Sequence, residues 1–146
     1  MQTAVRVQLQ LRIVSDDDTV IRDEVILQLD KRADRLEAIG LGLEESKDLL
    51  GRVQHAVVAA QAAAYVDRHR GCPVCGRRLR RKGKYPIVFR TAFGNVPLAS
   101  PRFHRCQCQP ADRKSVSPLT ELFTEHTAPE LLYLETLPLP TFYLGL

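Results

Sequence analysis

The sequence predicts an α+β fold, with an N-terminal β-hairpin, a long helix, a second β-hairpin and short C-terminal helices. Three patterns lead to this class. Apolar and polar residues alternate at the start of the chain, apolar residues recur at helical spacing in its middle, and two close cysteine pairs flank a segment of hairpin length. These patterns divide the chain into a hairpin with helical support (residues 1–70), a cysteine-bounded module (71–109) and short helices with a tail that we expect to be truncated (110–146).

The N-terminal hairpin follows from alternation. The stretch TAVRVQLQLRIV places an apolar residue at every second position from Val5 to Ile13, which is typical of a half-buried strand. Ser15 to Thr19 has turn chemistry, and alternation resumes from Val25 to Leu29. We interpret the aspartates Asp16 to Asp18 as a solvated turn, because consecutive side chains diverge at a hairpin tip.

Two helices are expected next. Asp30 is a plausible N-cap for a short helix that stops at Gly40. A longer helix runs from Leu43 to about Asp67, and its apolar positions lie along one face. These positions are Leu50, Val53, Val57, Ala60 and Ala64. The small residues of its second half suit packing against the first hairpin or a coiled-coil-type dimer seam, and both alternatives stay open.

Composition indicates a soluble globular protein, with 45% hydrophobic and 26% charged residues. No apolar run approaches the roughly 20 residues that cross a bilayer, and the first residues lack the apolar core of a signal peptide. We therefore expect a cytoplasmic protein without a membrane partner. In that reducing compartment, four cysteines favour metal binding or redox chemistry over structural disulfides.

A second hairpin lies between the cysteine pairs CPVC (residues 72–75) and CQC (106–108). The intervening stretch KYPIVFRTAFGNVPLASPRFHR contains two extended segments, which we expect to join at Gly94 and Asn95 because these residues tolerate a tight turn. A hairpin returns its end to its start. The second cysteine pair is therefore predicted to lie beside the first.

Four converging thiolates match the tetrahedral preference of Zn²⁺, with bonds of about 2.3 Å. The prediction is a zinc-ribbon-like module in which the metal substitutes for a core too small to fold alone. Its ligands would be Cys72, Cys75, Cys106 and Cys108. A redox dithiol is disfavoured, because proline, glycine and basic residues around the first pair make a tight knuckle instead of a helix start. His69 or His104 could replace one cysteine, or contact the ligands or a phosphate.

Charge is distributed very unevenly. Residues 68–108 contain eleven Lys and Arg and no Asp or Glu, whereas residues 1–67 carry a net charge of −4 and residues 109–146 a net charge of −3. Such a local positive field is expected of a polyanion binder, so we predict double-stranded DNA as the partner. The candidate DNA contacts are Arg77, Arg78, Arg80, Arg81, Lys82, Lys84, Arg90, Arg102 and Arg105.

Two short helices are predicted after the cysteines. Ser117 can act as an N-cap with Pro118 at the first helical position, and Thr127 with Glu130 forms a capping-box pattern. The final ten residues, LPLPTFYLGL, carry no charge and contain two prolines. We do not expect them to continue the helix.

Three stretches carry a family resemblance: DRLEAIGLGLEESKDLL, AQAAAYVDRHRGCPVCGRRLRRKGKYPIVFRTAFGNVPLASPRFHRCQC, and SVSPLTEL with EHTAPELLYLE. Over roughly residues 1–136, and most specifically over 67–108, the chain resembles the N-terminal region of ISKra-type insertion-sequence transposases. The resemblance implies binding to transposon ends, in DNA recombination. In that family a larger catalytic portion with RNase H-like acidic residues follows this region, so we expect a truncated or stand-alone copy without enzymatic activity.

The residues themselves also favour binding over catalysis. The sequence contains no spaced carboxylate set, no Ser-His-Asp order and no glycine-rich phosphate loop. Two hypotheses follow. The first is a zinc-ribbon DNA-binding module. The alternative is a zinc-stabilised protein-interaction or dimerisation module, such as one that forms a homodimer, without a DNA role.

Overall fold

The computed structural model describes residues 4–109 and 115–138, and its fold is α+β as predicted. The elements are β1 (Ala4–Val14), β2 (Val20–Arg32), α1 (Leu43–Arg68), β3 (Arg81–Thr91), β4 (Gly94–His104), β5 (Ser115–Val116), α2 (Pro118–Leu122) and α3 (Pro129–Thr136). Strands β1 and β2 form one antiparallel sheet, and β3, β4 and β5 form a second in that order. The described residues form two compact units that divide after residue 60, within α1. Most of the charge-free ending lies outside the described residues.

The predicted N-terminal hairpin is confirmed. Along β1, apolar residues from Val7 to Ile13 are half-buried and the polar residues between them are exposed. The turn closes through a 2.9 Å hydrogen bond from the Ser15 amide to the Thr19 carbonyl. A hydrogen bond from the Ser15 hydroxyl is the main cause of the lowered pKa of the Asp17 carboxyl. The aspartates therefore belong to an exposed turn, as expected.

A β-bulge in β2 changes which side chains face inward. Leu9 lies opposite Leu27 whereas Gln10 lies opposite Val25, so Ile26 is an extra residue between the two pairs. Ile26 and Leu27 are both buried, and Val25 is 45% exposed. The prediction that Val25 continues the inward alternation was therefore wrong, because the bulge reverses the faces on its two sides.

The predicted short helix before Gly40 is reduced to a single 3₁₀ turn at Leu36–Ala38. Strand β2 instead continues through Asp30, which lies opposite Arg6 and accepts a 3.1 Å hydrogen bond from its Nε atom. The backbone of Asp30 is therefore part of the β1–β2 ladder. Its assignment as a helix N-cap was therefore wrong.

Helix α1 has the predicted limits, but its buried face differs from the expected one. Of the five predicted positions, Val53, Val57 and Ala60 are half-buried, and Leu50 and Ala64 are exposed. The fully buried residues are Ala56, Val58 and Ala62. The described helices lack the combination of length and sustained hydropathy that a bilayer crossing demands. The dimer seam along this helix stays a prediction.

Polar contacts attach the first half of α1 to β2 within the first unit. The Lys31 ammonium lies 2.7 Å from the Glu45 carboxylate and is the main cause of the lowered pKa of that carboxyl. Arg52 donates a 3.0 Å hydrogen bond to the carbonyl of Ile26 at the bulge. The first half of the helix therefore contacts the first hairpin, whereas the predicted packing of its small-residue second half against that hairpin stays a prediction.

The second hairpin is also confirmed, but its turn lies earlier than predicted. Thr91 pairs with Gly94, so Ala92 and Phe93 form the two-residue loop in place of Gly94 and Asn95. The Thr91 hydroxyl donates to the Gly94 carbonyl (2.7 Å) and accepts from the Phe93 amide (3.2 Å). Gly94 is the first residue of β4, and its φ of +118° is a conformation that favours glycine.

Helix α2 begins as predicted, with Ser117 before its first proline, although the Ser117 side chain makes no capping hydrogen bond. Helix α3 begins at Pro129, and the predicted capping box of Thr127 and Glu130 does not form. Thr127 instead forms a parallel bridge with Arg90 of β3. Its hydroxyl also accepts a hydrogen bond from that arginine, which draws it away from the helix.

The core of the second unit is centred on Phe103, which is completely buried. It packs with the buried residues Cys72, Leu79 and Cys106 and the partly buried residues Val66 and Val116. Two cysteines are thus part of the hydrophobic core. The folding of this unit and the positions of the sulfur atoms are therefore coupled.

We expect Phe103→Ala to lower the free energy of unfolding by about 3–5 kcal/mol, because it leaves a cavity in this small core. Denaturant unfolding of the metal-loaded chain measures the change. The control is the same substitution at Phe93, which is 49% exposed in the hairpin turn. Equal losses at the two positions would contradict the assignment of Phe103 to the core.

Candidate metal centre

The first knuckle, residues 70–79, is a tight loop closed by its own backbone. The Cys72 amide donates to the Arg77 carbonyl (2.8 Å), and the Gly76 amide donates to the Cys72 carbonyl (2.9 Å). The Val74 amide points at the Cys72 sulfur, at 3.4 Å. Gly76 has φ +74°, which favours glycine at the position where the loop reverses. The sequence therefore builds a rigid loop around the first cysteine pair.

The second knuckle, residues 104–109, follows directly from β4. The Gln109 amide donates a 3.1 Å hydrogen bond to the Cys106 carbonyl. The His104 amide donates a 2.8 Å hydrogen bond to the carbonyl of Arg80, which comes just after the first knuckle. Hairpin pairing thus brings the two knuckles together, as the sequence predicted.

The four cysteine sulfurs converge between the knuckles. The separations are 3.4 Å between Cys72 and Cys108, 3.4 Å between Cys75 and Cys106, and 3.3 Å between Cys106 and Cys108. All four sulfurs lie within 4.8 Å of one another. A disulfide requires about 2.05 Å, so these are free thiols. The arrangement is that of a metal-binding site, formed by the residues that the sequence predicted.

The pKa values of the crowded cysteines are shifted in opposite directions. A hydrogen bond from the Cys75 backbone amide is the main reason why the pKa of Cys72 falls to about 6. The Cys108 amide lowers the pKa of Cys106 in the same way. By contrast, the neighbouring sulfurs, first that of Cys106, raise the pKa of Cys108 to about 12. Four thiolates therefore need a cation between them to be ionised together.

Two residues outside the predicted set support the centre. Phe103 lies beneath the buried sulfurs of Cys72 and Cys106. The Arg70 guanidinium lies 5.0 Å from the centroid of the Phe103 ring, and its Nε atom donates a 3.2 Å hydrogen bond to the Leu79 carbonyl. In the sequence, Arg70 stands out only as one of the eleven cations of residues 68–108. An aromatic residue three positions before the second pair was the available signal for Phe103.

Neither candidate histidine belongs to the sulfur cluster. The Nδ1 atom of His69 lies 2.9 Å from the Tyr65 carbonyl, and the two rings stack with centroids 3.9 Å apart. His104 lines a neighbouring cleft. Among the described residues, the group that can hold a metal consists of the four cysteines alone.

The nine predicted DNA contacts occupy different surroundings. One group lies beside the second knuckle and lines the same cleft: Arg77, Arg78, Arg80 and Arg105. A second group is exposed at the start of β3: Arg81, Lys82 and Lys84. Arg102 lies over the Tyr85 ring, 5.9 Å from its centroid. Arg90 lies near the hairpin turn and forms a 2.7 Å ion pair with Glu135, so it is separate from the others.

Ion pairing differs sharply between the two parts of the chain. Six of the eight cations in residues 1–67 contact a described carboxylate: Arg6, Arg12, Arg22, Lys31, Lys47 and Arg52. Of the eleven cations in residues 68–108, only two contact a carboxylate within the described part of the chain. These are Arg78, 3.7 Å from Asp67, and Arg90.

Comparisons with known proteins add no family to these observations. No family model, curated protein or solved structure matches this chain. The resemblance to the N-terminal region of ISKra-type transposases therefore stays a prediction.

Proposed function

We propose that this chain is a DNA-binding module in which a structural Zn²⁺ joins two knuckles and the adjacent cations bind the phosphate backbone of a duplex. The difference in ion pairing supports this proposal most directly. Nine of the eleven cations in residues 68–108 have no described carboxylate partner. Unpaired cations can neutralise phosphates, and the release of condensed counterions then favours binding.

Zinc is the metal that suits this donor set. Thiolates are soft ligands that select zinc over hard cations such as Mg²⁺ and Ca²⁺. The closest sulfur separations of 3.3–3.4 Å approach the roughly 3.8 Å edge of a tetrahedron with 2.3 Å bonds. When bound, Zn²⁺ would supply a cross-link between the knuckles and offset the repulsion among the thiolates.

A binding role suits this site better than a catalytic one. Catalytic zinc sites keep one coordination position open for water or substrate, whereas four sulfur ligands fill a tetrahedral site completely. We therefore assign the metal to structure and the surrounding surface to DNA. The resemblance to transposases supports transposon ends as the DNA and a role in transposition.

A second candidate function is a protein-interaction or dimerisation module without a DNA role. The observation in its favour is a set of exposed apolar residues near the start of α1, where Leu36 is 85% exposed and Ile39 and Leu43 are also exposed. Exposed apolar patches commonly mark interaction sites. Dimers that form with increasing concentration, in a protein without DNA affinity, would favour this function; sedimentation velocity and DNA titration together decide.

We expect each chain to bind one zinc ion. Removal of one cysteine ligand should release this ion and unfold the second unit. Cys75→Ser should reduce bound zinc several-fold and destabilise the hairpin, because binding of a structural metal contributes folding free energy. Elemental analysis and circular dichroism measure the two effects. His69→Gln is the control and should retain full metal content. Purified parent protein without zinc, or Cys75→Ser with unchanged zinc, would contradict this assignment.

Binding to duplex DNA should weaken steeply with salt. If about five cations contact phosphates, the slope of log K against log salt should be about −4 to −5. Replacing Arg80 and Arg81 with Ala should weaken binding to all sequences and reduce the magnitude of that slope by up to about 2. Fluorescence anisotropy across a salt series, with the zinc-loaded protein, measures both quantities.

A charge-matched control tests whether the loss of DNA affinity comes from Arg80 and Arg81 themselves or from the lower net charge. Arg6→Ala with Arg22→Ala also removes two positive charges, but from the first hairpin, where both arginines are in ion pairs. This variant should bind DNA nearly as the parent does. A flat salt response, or equal losses in the two double variants, would count against the proposed DNA surface.

A further inference from the structure

A cleft between the two knuckles is lined by four arginines together with Leu79, His104, Cys106 and Gln107. One wall is formed by residues 77–80, at the end of the first knuckle and just after it, and the other by residues 104–107 of the second knuckle. We call this space the inter-knuckle cleft. Its volume is about 210 Å³, below the roughly 300–1,000 Å³ of pockets for drug-sized ligands. The size suits a small polar group better than a cofactor.

The two walls are held in place by backbone and sulfur contacts. The His104 amide donates a 2.8 Å hydrogen bond to the Arg80 carbonyl and so joins one wall to the other. At the base of the walls, the sulfurs of Cys75 and Cys106 lie 3.4 Å apart. The spacing of the walls is therefore set by the same contacts that form the metal centre.

The chemistry of the cleft favours a tetrahedral oxyanion. Arg77, Arg78, Arg80 and Arg105 all line it, and among the described residues that line it there is no Asp or Glu. Arg105 donates a 2.8 Å hydrogen bond to the Gln109 carbonyl, which fixes its guanidinium while other N–H donors remain. The Arg78 guanidinium also forms an ion pair with the carboxylate of the exposed residue Asp67, at 3.7 Å. Several guanidinium groups around one small cleft are a preferred arrangement for phosphate recognition.

We propose that the inter-knuckle cleft binds one phosphodiester group of the nucleic acid backbone. This inference rests on the proposed DNA-binding function and assigns it a specific contact. A phosphate held beside the metal centre would fix the register of the duplex. The exposed cations at the start of β3, Arg81, Lys82 and Lys84, would then lie next to the phosphates that follow.

Inorganic phosphate is the first probe, because it presents the same oxyanion without a duplex. We expect its addition to the zinc-loaded full chain to give saturable amide shifts in the ¹H–¹⁵N spectrum, concentrated on residues 77–80 and 104–107. The double variant Arg77→Gln/Arg80→Gln should bind phosphate about tenfold more weakly, because hydrogen bonds to a charged group are lost. Both arginines are exposed, and retained zinc shows that the variant is folded.

The charge-matched control for this titration is Arg6→Gln/Arg22→Gln, in the first hairpin, which should bind phosphate like the parent. Shifts that are dispersed over the chain and do not saturate would overturn the site. So would parent-like phosphate binding by Arg77→Gln/Arg80→Gln.

Duplex DNA is the second probe, and it distinguishes a phosphodiester from a free anion. Arg77→Gln/Arg80→Gln should weaken DNA binding more than Lys82→Gln/Lys84→Gln does, although both remove two charges. Equal losses of DNA affinity in the two variants would contradict the assignment of the cleft as a phosphodiester site, but they would leave the proposed DNA-binding function standing. Phosphate binding in the cleft by a parent protein with no DNA affinity would overturn the phosphodiester assignment and the proposed function together.

Discussion

Repulsion among four crowded sulfur atoms is the constraint on which the second unit depends. All four lie within 4.8 Å of one another, and two of them are buried against Phe103 in a core with few large side chains. Backbone amides favour charge on Cys72 and Cys106, whereas neighbouring sulfurs oppose it on Cys108. A cation at the centre resolves this conflict and, at the same time, connects the beginning of the β3–β4 hairpin to its end.

The two parts of the chain differ in how many of their cations are in ion pairs. In the first unit, most cations are neutralised across the hairpin or along the helix, as by the pairs Arg6–Asp30 and Arg52–Asp48. Such exposed pairs contribute little stability, but they involve six of the eight cations of this unit. In residues 68–108, four arginines line a cleft beside the cysteine cluster, which would keep a charge of about −2 with a divalent ion bound to four thiolates. Nine of the eleven cations have no described carboxylate partner, and they exceed that charge, as the proposed binding of a polyanion requires.

Features set by local spacing could be predicted from the sequence, and features set by distant partners could not. Alternation gave the strands, apolar periodicity gave the limits of α1, and cysteine spacing gave the four ligands. The bulge at Ile26 depends on how two strands pair, and so does the continuation of β2 through Asp30, which lies opposite Arg6. Arg90 resembles its neighbouring cations in sequence, but Glu135, 45 residues later, neutralises it. The inter-knuckle cleft likewise arises only when the hairpin closes.

The order of the ligands along the chain has a consequence for synthesis. The first knuckle closes through hydrogen bonds within residues 70–79, whereas its partner cysteines come after a complete hairpin, with Cys106 31 residues beyond Cys75. At translation rates of about 5–20 residues per second, the first pair leaves the ribosome roughly 2–6 s before the second. During this interval the nascent chain offers a two-coordinate half-site. In the proposed zinc site, a metal ion bound at that stage would have two of its four sulfur ligands until the second pair arrives.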